Sequence, residues 1–388
     1  MADKIMQILA EVTGGKSYKA HKYGLDHAER PFIDYGEDSI VWQKTAETEH
    51  IRQYVDLTKK SKQVSIVGDQ LLTYFLDGSR RAFKVDDIAY QQSSRSVIYP
   101  VIAGQIGVGC CKRVEKKLIP EKFTREIVLA VPDKADADGK PGFFQATTKK
   151  LNESPELKRL HLEFSAILSY KTTRGKFDDK YEDRATACVQ DRMIMREKEL
   201  VAELVREQKL NQDNYLIKDG SLEYRPTKED RADKKRYAMF KNNYNWVLGV
   251  SKNFNPEVCL DINGKPNPGY IADLPLYHRT PVACFTNPDF LGDMQFAVWY
   301  IRIHDKDRTR TAFDGIIKVE KMLVTEDENE YGMDTELVNL LSAYLINERN
   351  PVCYGNDLRW ANHLYPIYLT EAFVKSRYLS TDSFLHLF

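Results

Sequence analysis

Two short motifs carry the residues best suited to chemistry: Asp77-Gly78-Ser79 and Asp219-Gly220-Ser221. Each closes an apolar run, TYFL in the first case and YLIK in the second, so each aspartate is expected at a strand's C-terminal end. Carboxylates gathered there offer the hard oxygen donors that Mg²⁺ or Mn²⁺ prefers, and paired ions can clamp the attacking and leaving oxygens of a phosphodiester. Either motif alone is ordinary turn chemistry, since Gly tolerates positive φ and Asp bonds its own backbone. Their recurrence on either side of a glutamate-rich helix singles them out.

That helix, expected across residues 181 to 210, offers a third carboxylate. Val189, Met193, Leu200 and Leu204 form one apolar stripe, and Glu197 falls within it. A glutamate on an apolar stripe is costly unless it is paired or binds a metal. Glu199 and Glu203 remain open alternatives. Lys252, at the end of VLGVSK, is a point charge that could meet a phosphate or, equally, snorkel at the surface. Asp314 begins the run FDGIIKVE, where Asp-Gly at a hairpin explains it as well as a ligand role does, and it is left outside the main set. Gly104, Gly107 and Gly109 look superficially like a phosphate loop, yet they interrupt a strand-like run with no Lys-Ser/Thr after it. The chain is therefore not expected to bind nucleotide, and any ATP-driven movement would need a partner.

The elements that must position these residues follow from hydrophobic period. The first sixty-odd residues read as helical in two pieces. A meander of strands then runs from about residue 70 to 131, with a turn expected at the first Asp-Gly-Ser. A loop at 132 to 142 precedes a helical region reaching about residue 210, and the strand NYLIKDGSLEY follows. Strands are expected at VLGVSK, PVACF, MQFAVWYIRIH and GIIKVEKML, and helices at TELVNLLSAYLINER and PIYLTEAFVKSRYL. This order predicts an α/β chain with an RNase H-like mixed sheet flanked by helices, divided into an N-terminal helical extension (1–65) and a main domain (66–388).

Composition sets bounds on function. With 388 residues, 42% hydrophobic and 11% aromatic, the chain can bury a sizeable core. Lys+Arg and Asp+Glu balance at 57 each, so no global positive field announces a nucleic-acid binder. DNA contact would fall to local patches: Lys59, Lys60 and Lys62; Lys112, Arg113, Lys116 and Lys117; Arg231 and Lys234 to Arg236. The six cysteines (Cys110, Cys111, Cys188, Cys259, Cys284, Cys353) form no C-x-x-C pair, so neither a zinc site nor a disulfide framework is expected. No long apolar window and an amphipathic, charged N-terminus predict a cytoplasmic protein with no membrane span.

In order and spacing, FLDGSRR, IYPVIAGQIGV, ELVAELV, YLIKDGSL, VLGVSK and YPIYLTEA resemble the NurA nuclease family over roughly residues 68 to 380. The resemblance implies an RNase H-like (PIWI-like) core and Mn²⁺- or Mg²⁺-dependent cleavage of DNA. It also implies a homodimer docked on a hexameric HerA-type ATPase. Carried over to this chain, the metal-binding and catalytic carboxylates are Asp77, Asp219 and a helix glutamate whose spacing best matches Glu199, whereas periodicity favours Glu197. Lys252 matches a substrate-contacting position. Tyr365 of the family's Tyr-Pro motif, with Leu369 and Ala372 in phase, would position a phosphate or an ion-bound water, or simply pack at a helix start. One departure stands out: the family's histidine eight residues after that tyrosine is Phe373 here, which neither binds metal nor transfers a proton. His363 is a candidate substitute.

Two roles follow, DNA end processing or degradation of foreign DNA with the ATPase, and, as the alternative, a weakly active scaffold that assembles or regulates the ATPase ring. A third reading, an unrelated α/β protein, requires Asp77 and Asp219 to lie more than about 10 Å apart, since paired ions sit only about 4 Å from each other.

Overall fold

The computed structural model describes residues 5–18, 20–25, 41–43, 46–64, 70–92, 94–136, 138–173, 180–222, 233–254, 265, 267–286, 294–309, 311–351 and 360–388. Long runs of β-branched and aromatic residues form the three central strands β5 (Leu72–Gln92), β6 (Arg95–Val114) and β7 (Lys117–Pro132), paired as an antiparallel meander. The short strands β1 (Lys16–Tyr18), β2 (Tyr23–Gly24), β3 (Val41–Gln43) and β4 (Val55–Asp56) precede them. Beyond lie β8 (Ala166–Tyr170), β9 (Tyr215–Asp219), β10 (Val247–Ser251), β11 (His278–Arg279), β12 (Ala283–Thr286), β13 (Gln295–Arg302) and β14 (Ile316–Leu323).

All belong to one mixed sheet, whose main path is β3-β12-β13-β14-β10-β9-β5-β6-β7-β8. After the meander the chain crosses over through helix α5 (Tyr181–Arg206) and lays β9 parallel to β5, then β10 parallel to β9. The inner order β7-β6-β5-β9-β10, three antiparallel strands followed by two parallel ones, is RNase H-like. The remaining helices are α1 (Ile5–Thr13), α2 (Thr58–Val64), α3 (Phe143–Asn152), α4 (Pro155–Leu160), α6 (Lys234–Asn242), α7 (Pro268–Ala272), α8 (Glu326–Tyr331), α9 (Thr335–Asn347), α10 (Tyr365–Lys375) and α11 (Thr381–Leu385). Among the described residues, no helix is long and apolar enough to cross a membrane.

Strand alternation gives each face its own helices. Tyr74, Leu76 and Ala82 of β5, with Ile106, Val108 and Cys110 of β6, pack beneath Val189, Met193, Leu200 and Leu204 of α5. Phe75, Ile217, Leu248 and Val250 face the other way, into a cluster with Leu341 and Leu345 of α9 and Ile367 of α10. The glycines of β6 mark where helices touch the sheet. A Cβ at Gly104 would lie 2.7 Å from Val189 Cγ1 of α5, and one at Gly109 would lie 2.6 Å from Val374 Cγ2 of α10.

Several expectations need correction. The first Asp-Gly-Ser is not a turn: β5 runs straight through it, paired with β6 from Tyr74 to Gln92, and Gly78 is absent from the positive-φ glycines. Residues 5–64 are not a purely helical extension. Helices stand at each end, but β1 and β2 pair with β5, β3 with β12 and β4 with β11, because their backbone groups complete hydrogen bonds along strands of the sheet. Strand β8 interrupts the helical region expected before residue 210, pairing parallel to β7. Cys110, Cys111, Cys188 and Cys284 are free thiols, while Cys259, Cys353 and Arg231 lie outside the described residues.

Because α5 rests directly on the Gly104 backbone, Gly104→Ala should destabilise the protein by about 1 to 3 kcal/mol. Urea unfolding would show this as a lower midpoint with an unchanged m-value.

Candidate active site

Strand β9 covers one edge of β5 only from Leu72 to Leu76, and β2 joins that edge again at Phe83. Asp77 is thus the first residue of β5 beyond the end of β9, at the carboxyl ends of the parallel strands, where open α/β sheets place their ligands. The register Leu76↔Lys218 brings Asp77 alongside Asp219 on the neighbouring strand, roughly 4.8 Å away in the pairing direction. Both share the parity of Phe75 and Ile217, so both point to the α10 face. The next strand pairs Val250 with Asp219, and Lys252 follows two residues on, with the same parity.

Lys252 is the hub. Its Nζ lies 3.0 Å from Asp219 Oδ2 and 3.8 Å from Glu371 Oε2 of α10. It also approaches His363 Nε2 at 3.3 Å. Asn362 anchors the loop by donating to the Lys252 carbonyl (2.8 Å) and accepting from Gly315 N–H (2.5 Å). Three carboxylates thus converge on one face around Lys252, and Lys375 pairs with the Glu371 carboxylate from its own helix.

The electrostatics follow. Burial, then the neighbouring charges of Asp219 and Glu371, hold the Asp77 carboxyl well above the usual carboxylate range; Lys252 opposes this and Glu197 adds to it. Burial also pushes Glu371 up, but Lys252, Lys375 and His363 outweigh it and leave that carboxyl below its usual value.

Glu197 comes from the opposite face. It is buried on α5, exactly where a Cβ on Gly78 would run into its carboxylate, so Gly78 opens the layer for it. Glu197 Oε2 pairs with Lys218 Nζ at 3.2 Å, and that ammonium donates to the carbonyls of Asp219 (2.7 Å) and Ser221 (3.4 Å). From β14, the buried Glu320 accepts from Ser221 Oγ and from Leu222 N–H, both at 2.8 Å. The second Asp-Gly-Ser is a true turn, with Gly220 at φ +83°, and two buried ionic groups clamp it.

The structure therefore brings together Asp77, Asp219 and Lys252, with Glu197 beneath them. It turns Glu199 away: that side chain is 46% exposed and ion-paired with Arg196. Glu203 likewise faces Lys122. Tyr365 stands on the rim, 45% exposed. Phe373 packs edge-on against Phe123, with ring centroids 5.4 Å apart. His363 reaches Lys252. Asp314 accepts from Thr311 N–H within its own turn (3.1 Å). Sequence reasoning missed Glu371, although the signal was present: Ile367, Thr370 and Val374 are buried at helical spacing, and Glu371 lies one turn from Ile367 on that stripe.

Among the described residues, no group of three or more His, Cys, Asp or Glu stands at metal-ligand spacing. The donor chemistry nonetheless suits a hard divalent ion: the donors are buried carboxylate oxygens in excess of their local cations, with Asp77 penalised for ionising.

Fold and site together define a mixed α/β sheet of RNase H-like order with buried carboxylates at the ends of its parallel strands. Among solved structures, the chain is similar to the crystal structure of the NurA nuclease from Sulfolobus solfataricus, with a TM-score of 0.38 and 11% identity over 85% of this chain and 88% of that one. No family model and no curated protein matches the chain.

A carboxyl raised on folding contributes stability that is present below its unfolded pKa of about 4 and is lost as pH rises through its folded value. Asp77→Asn should therefore raise Tm at pH 8 by about 2 °C or more, with the advantage closing as pH falls toward 4. Thermal unfolding across that range tests it; an Asn variant that is less stable at every pH would contradict the electrostatic account.

Proposed function

We propose that the protein is a divalent-metal-dependent deoxyribonuclease whose centre is built from Asp77, Asp219 and Glu371, with Glu197 beneath. The observation that carries this reading is the convergence of three carboxylates on one sheet face around Lys252, leaving Asp77 under strong pressure to stay protonated. Mn²⁺ or Mg²⁺ held by these residues would supply positive charge against the phosphodiester oxygens and ease deprotonation of a water. The protein's own groups prepare the rest. Lys252 occupies the cation's neighbourhood as a point charge and, released from Asp219, reaches for a phosphate oxygen. Lys218 and Glu320 hold the Asp219 turn rigid, so that its carboxylate is aimed before substrate arrives.

DNA is held by its backbone rather than read by its bases. Lys234, Lys235 and Arg236 at the head of α6 suit this, since that helix has no buried residue. Arg113 does not, because its guanidinium is engaged by Glu348. The resemblance to the NurA family supports a homodimer working with a hexameric HerA-type ATPase, in DNA end processing or degradation of foreign DNA. Glu371 weighs against a purely scaffolding role: α10 carries a half-buried carboxylate two residues before Phe373, so loss of the family histidine does not empty that helix of ligands.

Incubation of linear DNA with the purified protein and Mn²⁺ or Mg²⁺, alone and with its ATPase, tests the proposal. Wild type should cleave, Asp77→Ala, Asp219→Ala and Glu371→Ala should each lose at least about 100-fold, and Glu199→Ala should stay near wild type. Equal behaviour of wild type and Asp77→Ala would remove the nuclease reading.

A further inference from the structure

The first turn of α10 carries two exposed aromatic rings that the carboxylate site does not use. Tyr365 and Tyr368 are 45% and 42% exposed, and their rings lie near-parallel, 19° apart with centroids 6.4 Å from each other. Exposed tyrosines are commonplace singly, but these stand at i, i+3 spacing on a helix whose next residue in that series is Glu371. At about 1.5 Å per residue, Tyr368 precedes Glu371 by about 4.5 Å along the helix and Tyr365 by about 9 Å. The platform is also joined to the site from below. The His363 ring meets Tyr368 edge-on at 6.1 Å and 86°, and the same imidazole approaches Lys252, the lysine shared by Asp219 and Glu371.

We infer that Tyr365 and Tyr368 form a stacking platform for unpaired bases of a single-stranded DNA segment whose phosphate lies at Lys252. The identity of the ligand rests on the nuclease reading; the stacking itself does not. A flat ring with a free face stacks on any base, so such a platform holds a strand without regard to sequence, and it cannot engage a base still inside a duplex. The strand therefore reaches the carboxylates unpaired, whether from a frayed end or an already single-stranded region. Backbone-gripping lysines and arginines alone would accept duplex and single strand alike. Tyr368 is the better probe of the two, because its ring is the one that meets His363 beside Lys252.

The test is fluorescence anisotropy with a labelled thymidine oligonucleotide and a matched strand of abasic sites, in EDTA so that nothing is cut. Wild type should bind the thymidine strand at least about fivefold more tightly than the abasic one. Tyr368→Ala should lose that preference by weakening only the thymidine complex, and Tyr368→Phe, which keeps the ring, should restore it. Absence of cleavage by wild type with Mn²⁺ or Mg²⁺, with the stacking preference intact, would sink the nuclease reading alone. No binding by wild type, no preference for bases, or equal loss on both strands in Tyr368→Ala would overturn the platform, even in a protein that cleaves.

Discussion

Like charges forced together out of water set the terms for the rest of this molecule. Asp77, Asp219 and Glu371 are drawn from two strands and a late helix into one half-buried pocket, where burial and the charges of Asp219 and Glu371 raise the cost of ionising Asp77. Lys252 offsets part of that cost, and its carbonyl is held by Asn362. A protein that maintains such an arrangement stores unfavourable electrostatics in its folded state.

Rigid support makes the arrangement durable. The turn holding Asp219 is gripped by Lys218, itself paired with Glu197, and by Glu320. The buried ions around the turn are hydrogen-bonded to backbone groups, which is the condition under which buried charge is tolerable. Close contact between layers does the remaining work. Gly78 admits the Glu197 carboxylate, Gly104 admits α5 and Gly109 admits α10, so the helices bearing Glu197 and Glu371 approach the sheet more closely than any larger residue would allow. These glycines serve approach rather than backbone flexibility.

The sheet edge places the pocket. Strand β5 is long enough to pair with β9 over its first residues and with β2 and β1 farther along, and the interval between them exposes Asp77 at the carboxyl end of the parallel strands. The N-terminal segment therefore helps define the opening by covering the rest of that edge. The tyrosines of α10 extend the same opening outward, continuing the line from Glu371 to the surface.

Much of this was written in local pattern. Hydrophobic period located β5, β6, α5, β13, β14, α9 and α10, and Asp219 at the end of its strand and the stripe-borne Glu197 were legible because alternation and 3.6-residue repeats are short-range properties, whereas Asp77, expected at a strand end, lies inside β5. Where local pattern misled, distant contacts had decided. Asp-Gly at residues 77 and 78 favours a turn in isolation, yet pairing with β6 keeps it extended, and the glycine is explained by a helix more than a hundred residues away. Glu199 and Glu197 are indistinguishable as letters; only the rotation of α5 against the sheet sends one to Arg196 and the other to Lys218. Glu371 gained its meaning when α10 docked beside Lys252. Sequence alone determined which residues could bind a cation and on which elements they ride; tertiary packing decided which carboxylates meet, because a shared charge environment depends on where faces converge rather than on spacing along the chain.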